Sequence, residues 1–160
     1  MTEIKVAIMM GSKTDLPTME EGAQILKDFG VEYEIRVLSA HRTPKETAAY
    51  AEDLKKRGVK VVICGAGGSA ALAGVVAAHT LLPVIGVPIE STLSGLDSLL
   101  STVQMPPGVP VGAVAIGKAG ARNAALLALR ILALSDKQID KKLEKFSDDQ
   151  RKKILETKIP

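Results

Sequence analysis

Hydrophobic and polar positions follow two alternating patterns from residue 4 to residue 134. Short, almost continuously apolar runs predict β-strands, and longer stretches with an apolar residue every three or four positions predict helices. Such alternation is typical of βαβ units around a parallel sheet with helices on both faces, so we expect an α/β fold. The predicted strands are Ile4–Met10, Tyr33–Leu38, Lys60–Cys64, Val84–Val87 and Val111–Ile116.

Two predicted helices have clear start or stop signals. The first covers residues 16–29, where apolar residues recur at helical spacing and Gly30 provides a C-terminal stop. The second begins at Thr43-Pro44-Lys45-Glu46, which has the pattern of a capping box with proline at the first helical position. We expect this second helix to stop at Gly58.

The last two predicted helices bear on assembly. Residues 119–134 read AGARNAALLALRILAL, and a helix apolar nearly all round must be buried on most faces, so we expect a second subunit to supply part of that burial. The segment from Asp136 onward places Ile139, Leu143 and Phe146 on one face, which predicts packing on a neighbour. We therefore expect an α/β catalytic domain over residues 1–134 and a helical extension of it over residues 135–160.

Composition narrows the class of protein. A chain of 160 residues with 46% hydrophobic and 24% charged residues is typical of one soluble globular domain. The single cysteine, Cys64, allows no intrachain disulfide and no zinc site, and no apolar run approaches the roughly 18 residues of a membrane span. We expect a cytoplasmic protein that is neither secreted nor membrane-bound and that uses no metal.

The net charge of +3 does not indicate a nucleic-acid-binding protein. Basic residues are spread along the chain, and in the C-terminal segment they alternate with acids, as on a solvated helix face. With no Trp, two Tyr and two Phe, the chain has few aromatic side chains on which nucleic-acid bases could stack.

Four loops carry the candidate chemistry, because ligands of open parallel sheets bind outside the carboxyl ends of the strands. These loops are GSKTD at residues 11–15, SAHRTP at 39–44, GAGGSA at 65–70 and the segment from 88 to 96. We expect all four to lie at one edge of the sheet.

The first and third loops suit phosphate or ribose groups. A glycine and two hydroxyls before a helix can hold a phosphate, and Asp15 either caps that helix or binds ribose hydroxyls. The third loop formally fits G-x-G-x-x-G/A, the pattern of dinucleotide-binding loops. It follows the third strand instead of the first, however, and no ribose-binding acidic residue stands about 20 positions later, which argues against dinucleotide binding. Its glycines instead predict close approach of a phosphate or heterocycle to bare backbone.

The two histidines differ in setting. His41 lies at the end of a strand beside Arg42, whose guanidinium suits phosphate, and the pattern leaves a catalytic and a structural role open. His79 lies in the apolar stretch ALAGVVAAHTLLP, so we expect a structural or interface role. Cys64 ends a buried strand and is expected to be an inert core residue.

Six segments together carry a specific resemblance: GSKTDLPTM, SAHRTP, GAGGSAALAGVV, LPVIGVPIES, LSGLDSLLSTVQMPPGVPVGAVAIG and NAALLALRIL. Over about residues 4–134 the chain resembles the N5-carboxyaminoimidazole ribonucleotide mutase family of purine biosynthesis. The resemblance implies a flavodoxin-like three-layer α/β/α sandwich, a homo-octamer with active sites at subunit contacts, and a ribonucleotide substrate with no metal or organic cofactor.

The resemblance also implies roles for individual residues. His41 matches the catalytic histidine, which moves a proton while a carboxyl group leaves nitrogen as carbon dioxide and is added to ring carbon. The implied substrate-binding residues are Ser12, Asp15, Ser39, Ala40, Arg42, Gly67, Gly68, Ser69, Ser94, Gly95 and Leu96.

Positions 71 and 73 depart from the family pattern in a way that bears on the reaction. The mutases usually read GAGGAAHLPG in the third loop, whereas this chain has Ala71 in place of the histidine and Ala73 in place of the proline. Related carboxylases that use free carbon dioxide also lack that histidine, but they carry an Arg-Ser-Asn sequence that is absent here and usually lysine at position 42. We expect a mutase, with direct carboxylation as the alternative; a flavin electron carrier and a noncatalytic nucleotide-binding regulator are rivals from other classes.

Overall fold

A parallel five-stranded sheet organises the computed structural model, which describes residues 3–159. The strand order is β2-β1-β3-β4-β5, and every neighbouring pair is parallel. This order is that of flavodoxin-like doubly wound sheets, so the predicted fold class is confirmed. The strands are β1 Val6–Met10, β2 Tyr33–Val37, β3 Val61–Gly67, β4 Val84–Ile89 and β5 Gly112–Ala113.

Helices follow the strands in sequence and cover both faces of the sheet. A single 3₁₀ turn, Lys13–Asp15, precedes the first helix. The helices are α1 Leu16–Phe29, α2 Pro44–Leu54, α3 Leu72–His79, α4 Leu96–Val103, α5 Lys118–Ala133 and α6 Lys137–Leu155.

Alternate residues of the central strands pack into two separate hydrophobic cores, one on each face of the sheet. On β1, Val6, Ile8 and Met10 face a core that α1, α5 and α6 complete, while Ala7 and Met9 face a core completed by α2 and α3. Both sets are fully buried. The continuous apolar run at residues 6–10 is therefore required by a strand with helices on both sides.

Strand lengths differ from the prediction at the sheet's edges and at β3. β3 extends through Gly67 because its pairing with β4 continues as far as Ile89. β5 keeps only two of the six expected residues, since its pairing with β4 is limited to Gly112 and Ala113. β2 is the opposite edge, and its last residue Val37 is half-exposed.

The start of α2 was only partly predicted. Pro44 is its first residue, but Thr43 makes no capping hydrogen bond with its side chain, so the expected capping box is wrong. The hydroxyl of Thr43 instead accepts the Ser39 N–H at 2.9 Å. The helix ends at Leu54, and a turn carries the chain on to Gly58, which has φ +88.

The last two helices pack against other helices of their own chain. α5 packs against α1 and α6, and α6 adds an edge-to-face contact between Phe146 and Phe29 with ring centroids 5.8 Å apart. Ile139 is buried, and Leu143 packs on the same core. α1 and α5 of the same chain thus cover part of this face, and packing of α6 on a neighbour stays a prediction.

Candidate active site

A cleft of about 510 Å³ opens at the carboxyl end of the sheet. All four predicted loops reach it, as expected when parallel strands end at one edge. Its lining residues are Gly11, Ser12, Thr14, Asp15, Ser39, Ala40, His41, Arg42, Ala66, Gly67, Ser69, Ala71, Leu72, Glu90 and Ser91.

The first loop is held by a capping box of its own. Ser12 accepts the Thr14 N–H at 3.3 Å, and Asp15 Oδ2 accepts the Ser12 N–H at 3.2 Å. Asp15 precedes α1 but makes no side-chain hydrogen bond to that helix, so the interpretation of Asp15 as a cap of α1 is wrong. Its carboxyl group shapes the 3₁₀ turn instead and lines the cleft.

Two opposing influences act on the Asp15 carboxyl group. Burial raises its pKa above the ordinary value, while the hydrogen bond from the Ser12 N–H and the charge of Arg42 lower it. Burial dominates because the side chain lies between the first and second loops. The cleft thus pairs a partly desolvated acid with a guanidinium.

The second loop presents His41 on a rigid base. Thr43 hydrogen-bonds Ser39, and Arg42 Nη2 donates to the Gly11 carbonyl at 2.8 Å, which ties the second loop to the first. His41 itself is exposed, and its ring makes no hydrogen bond or ion pair within residues 3–159. The imidazole is therefore free to act on a ligand in the cleft.

The glycines of the third loop serve different purposes. A Cβ on Gly65 would overlap the sulfur of Met19, so core packing requires this glycine, contrary to the expectation of ligand approach. At Gly67 a Cβ would meet nothing closer than the Ile89 carbonyl at 3.5 Å, and its backbone lines the cleft. Gly68 has φ +64, a left-handed conformation that favours glycine.

Four of the predicted binding residues lie beside the cleft rather than in its lining. Gly68 follows Gly67 directly and donates its N–H to Ser98 Oγ at 2.9 Å. Ser94 and Gly95, both with positive φ, lead into α4, which begins at the half-exposed Leu96.

Several lining residues were not among the predicted binding residues. Glu90 and Ser91 follow β4 directly and lie within the predicted fourth loop, residues 88–96, but neither was named as a binding residue. Ala71 lines the cleft, whereas His79 ends α3 and lies 3.0 Å from Glu52 beside a different cavity. His79 therefore does not take the place of a histidine at position 71.

Among residues 3–159, no three His, Cys, Asp or Glu side chains converge as a metal site would need. No helix of the described residues combines the length and apolar character needed to cross a bilayer.

The family model of AIR carboxylase matches residues 5–153. The chain belongs to this family. An N5-carboxyaminoimidazole ribonucleotide mutase of Saccharolobus solfataricus is 58% identical over 156 residues, covering 97% of this chain and 98% of the relative. A mutase of Vibrio vulnificus is 56% identical, with 98% of each chain covered.

Solved structures agree with this assignment. The crystal structure of Treponema denticola PurE superposes with a TM-score of 0.85 at 35% sequence identity, covering 94% of each chain. The AIR carboxylase family is thus supported by sequence over nearly the whole chain and by fold. The predicted family is confirmed.

Proposed function

We propose that this protein is an N5-carboxyaminoimidazole ribonucleotide mutase that forms 4-carboxyaminoimidazole ribonucleotide in purine biosynthesis. The observation that carries the proposal is a cleft combining His41, Arg42 and Asp15 in a chain 58% identical to a mutase. Relatives at 51–58% identity carry the name N5-carboxyaminoimidazole ribonucleotide mutase, which favours this activity over direct carboxylation by free carbon dioxide.

Proton transfer by His41 completes the proposed reaction. The bond between nitrogen and the carboxyl carbon breaks, carbon dioxide stays in the cleft, and the nitrogen becomes an amine by gaining a proton. The ring carbon then forms a bond to carbon dioxide and loses its own proton. One proton is gained and one is lost, so the reaction balances with one exposed imidazole that first donates and then accepts a proton.

The remaining cleft residues are proposed to bind the nucleotide. Arg42 and Ser12 would hold the phosphoribosyl group, and Asp15 would accept hydrogen bonds from ribose hydroxyls. Ser39 and Ala40 frame the second loop beside them. Gly67, Gly68 and Ser69 are proposed to cover the ring with backbone and exclude water from the released carbon dioxide.

Assembly and location belong to the same proposal. α4 exposes an apolar face formed by Leu96, Leu100 and Val103, which are 53%, 48% and 47% exposed, and such a face is typical of a subunit contact. We propose a homo-octamer in which Ser94, Gly95 and Leu96 reach substrate across that contact. The single buried thiol of Cys64 suits a reducing cytoplasm.

Turnover with two substrate pairs tests the proposed activity. The carboxylated ribonucleotide supplied without bicarbonate should be converted, and more efficiently than aminoimidazole ribonucleotide supplied with bicarbonate. The opposite order would show a direct carboxylase. Binding of both ribonucleotides without any turnover would show a noncatalytic nucleotide-binding protein.

A further inference from the structure

Ser91 borders the part of the cleft where the third loop is bare backbone. A Cβ on Gly67 would lie 3.7 Å from the Ser91 Cβ, and a Cβ on Gly68 would lie 3.8 Å from the Ser91 Oγ. Ser91 lines the cleft, so its hydroxyl faces the space beside these glycines. This is the space that we assign to the heterocycle of the substrate.

Asp97 fixes the orientation of the Ser91 hydroxyl. Ser91 Oγ donates to Asp97 Oδ2 at 2.8 Å. Asp97 is the second residue of α4, where the helix dipole favours a negative carboxylate. Its other oxygen, Oδ1, is buried and has no hydrogen-bond partner among residues 3–159. Within that part of the chain, the Asp97 side chain therefore acts through Ser91.

The backbone around this pair is also fixed by α4. Ser98 is fully buried; its hydroxyl donates to the Ile89 carbonyl at 2.6 Å and accepts the Gly68 N–H at 2.9 Å. One side chain thus joins the end of β4 to the glycine-rich loop. These two hydrogen bonds fix the position of the glycine-rich loop relative to the end of β4, two residues before Ser91.

The direction of the Ser91–Asp97 hydrogen bond determines what Ser91 offers to a ligand. A hydroxyl has one hydrogen to donate and two lone pairs to accept with, whereas an ionised carboxylate can only accept. The hydrogen of Ser91 is committed to Asp97, so a ligand in the cleft meets only the lone pairs. This position therefore selects a ligand group that donates an N–H or O–H.

We propose that Ser91, oriented by Asp97, accepts a hydrogen bond from the exocyclic amine of the aminoimidazole ring. The assignment rests on the proposed function, which places such a ring in the cleft. Ser91 is the substrate-contacting residue and Asp97 is a positioning residue. Together they select for the amine that the reaction exposes when the carboxyl group leaves nitrogen.

Binding of two ligands that differ only in the amine tests the proposal. Dissociation constants are measured by calorimetry for aminoimidazole ribonucleotide and for the analogue with hydrogen in place of the amine. The parent protein should prefer the amine, and Ser91→Ala should reduce that preference roughly 3- to 10-fold, the range of one neutral hydrogen bond. Ser91→Thr keeps the hydroxyl and should retain the preference.

Asp97→Asn tests the positioning role. The new amide can donate to Ser91 and free its hydrogen to point into the cleft, so the preference for the amine should fall as in Ser91→Ala. Ser135→Ala and Asp148→Asn are matched controls outside the cleft and should leave the preference unchanged. A purely structural defect would weaken both ligands equally and leave their ratio unchanged.

The outcomes separate this proposal from the proposed function. An unchanged preference in both Ser91→Ala and Asp97→Asn overturns the role of the pair, even if the parent protein is an active mutase. The preference is measured without turnover. A parent protein that is inactive but still prefers the amine would therefore contradict only the proposed activity, and not the role of Ser91. Failure of the parent to bind either ribonucleotide overturns both.

Discussion

His41 is the residue on which the proposed chemistry depends. It is exposed at the cleft, and the bonds of Arg42 and Thr43 to their neighbours fix the loop that carries it. In His41→Asn the amide keeps polarity and approximate size but cannot exchange a proton near neutral pH. We expect turnover to fall by at least ~10²-fold, measured as kcat under substrate saturation, with nucleotide binding largely intact.

His79→Asn is the matched control for that substitution. His79 lies at the end of α3 beside Glu52 and does not line the cleft, so its replacement should leave kcat within about twofold of the parent value. Near-normal turnover in a folded His41→Asn variant would contradict the assignment of the proton-transfer residue.

Asp15 predicts a pH-dependent difference in stability. Burial raises its pKa in the folded protein, so this carboxyl group favours folding at low pH and loses that contribution as pH rises through the folded pKa. Asp15→Asn still accepts the Ser12 N–H but does not ionise. Since the carboxyl group is only partly buried and solvent screens its charge, we expect the variant to exceed the parent Tm by only roughly 1–2 °C at pH 7.5.

The same comparison at about pH 4 provides the internal control. Because burial raises the pKa of Asp15, a larger fraction of the folded parent carries a protonated carboxyl group there than at pH 7.5. The difference in Tm should shrink at that pH. A variant that is less stable than the parent at pH 7.5 and equal to it at pH 4 would show that the ionised carboxylate stabilises the loop, against our account.

The packing of α1 against α5 depends on small side chains. A Cβ on Gly22 of α1 would lie 2.7 Å from the backbone oxygen of Ala121 in α5, closer than real contacts allow. Gly22→Ala must therefore push the two helices apart. We expect a cost of about 1–3 kcal/mol, seen as a Tm roughly 3–10 °C lower by calorimetry at fixed protein concentration.

Gly74→Ala is the matched control within a helix. A Cβ at Gly74 of α3 would lie 3.0 Å from the sulfur of Met105, and a flexible methionine can move where a backbone oxygen cannot. The higher helix propensity of alanine then stabilises the folded protein by up to ~1 kcal/mol, so the Tm should stay the same or rise. An equal decrease in Tm in the two variants would show that the close approach of Gly22 to Ala121 does not cause the decrease.

Elements buried on both sides were the most predictable. β1 lies in the apolar run Ile4–Met10 because both faces of that strand are covered. α4 was not predicted, because the helix has only eight residues. Two of them, Asp97 and Ser98, form hydrogen bonds with the segment that follows β4 and with the end of β4. A local pattern cannot contain a partner that only the folded chain brings near.

The site was predictable to a similar extent. His41 and Arg42 could be found because they follow a strand and have distinctive chemistry. Asp15 was harder, because its position before α1 fits a helix cap equally well and only the folded loop shows its bond to Ser12. Ser91 has an unremarkable side chain, and its significance depends on a hydrogen bond six residues along the chain.

Assembly belongs to the scale of the whole molecule. We expect light scattering at micromolar concentration to report eight copies of the 16.8 kDa chain. Leu100→Glu places a charge in the exposed apolar face of α4, so it should split the assembly into smaller species. Leu155→Glu, near the end of α6 and 70% exposed, is the control and should leave the mass unchanged. A monomeric parent would contradict the proposed octamer.

The fate of the carboxyl carbon tests the central claim most directly. Carboxylated substrate labelled with ¹³C in its carboxyl group is converted in a large excess of unlabelled bicarbonate, and the product is analysed by mass spectrometry. A mutase that holds released carbon dioxide out of contact with bulk solvent should return product that retains the label. Product carrying the isotopic ratio of the bulk bicarbonate would contradict the mutase and identify a direct carboxylase.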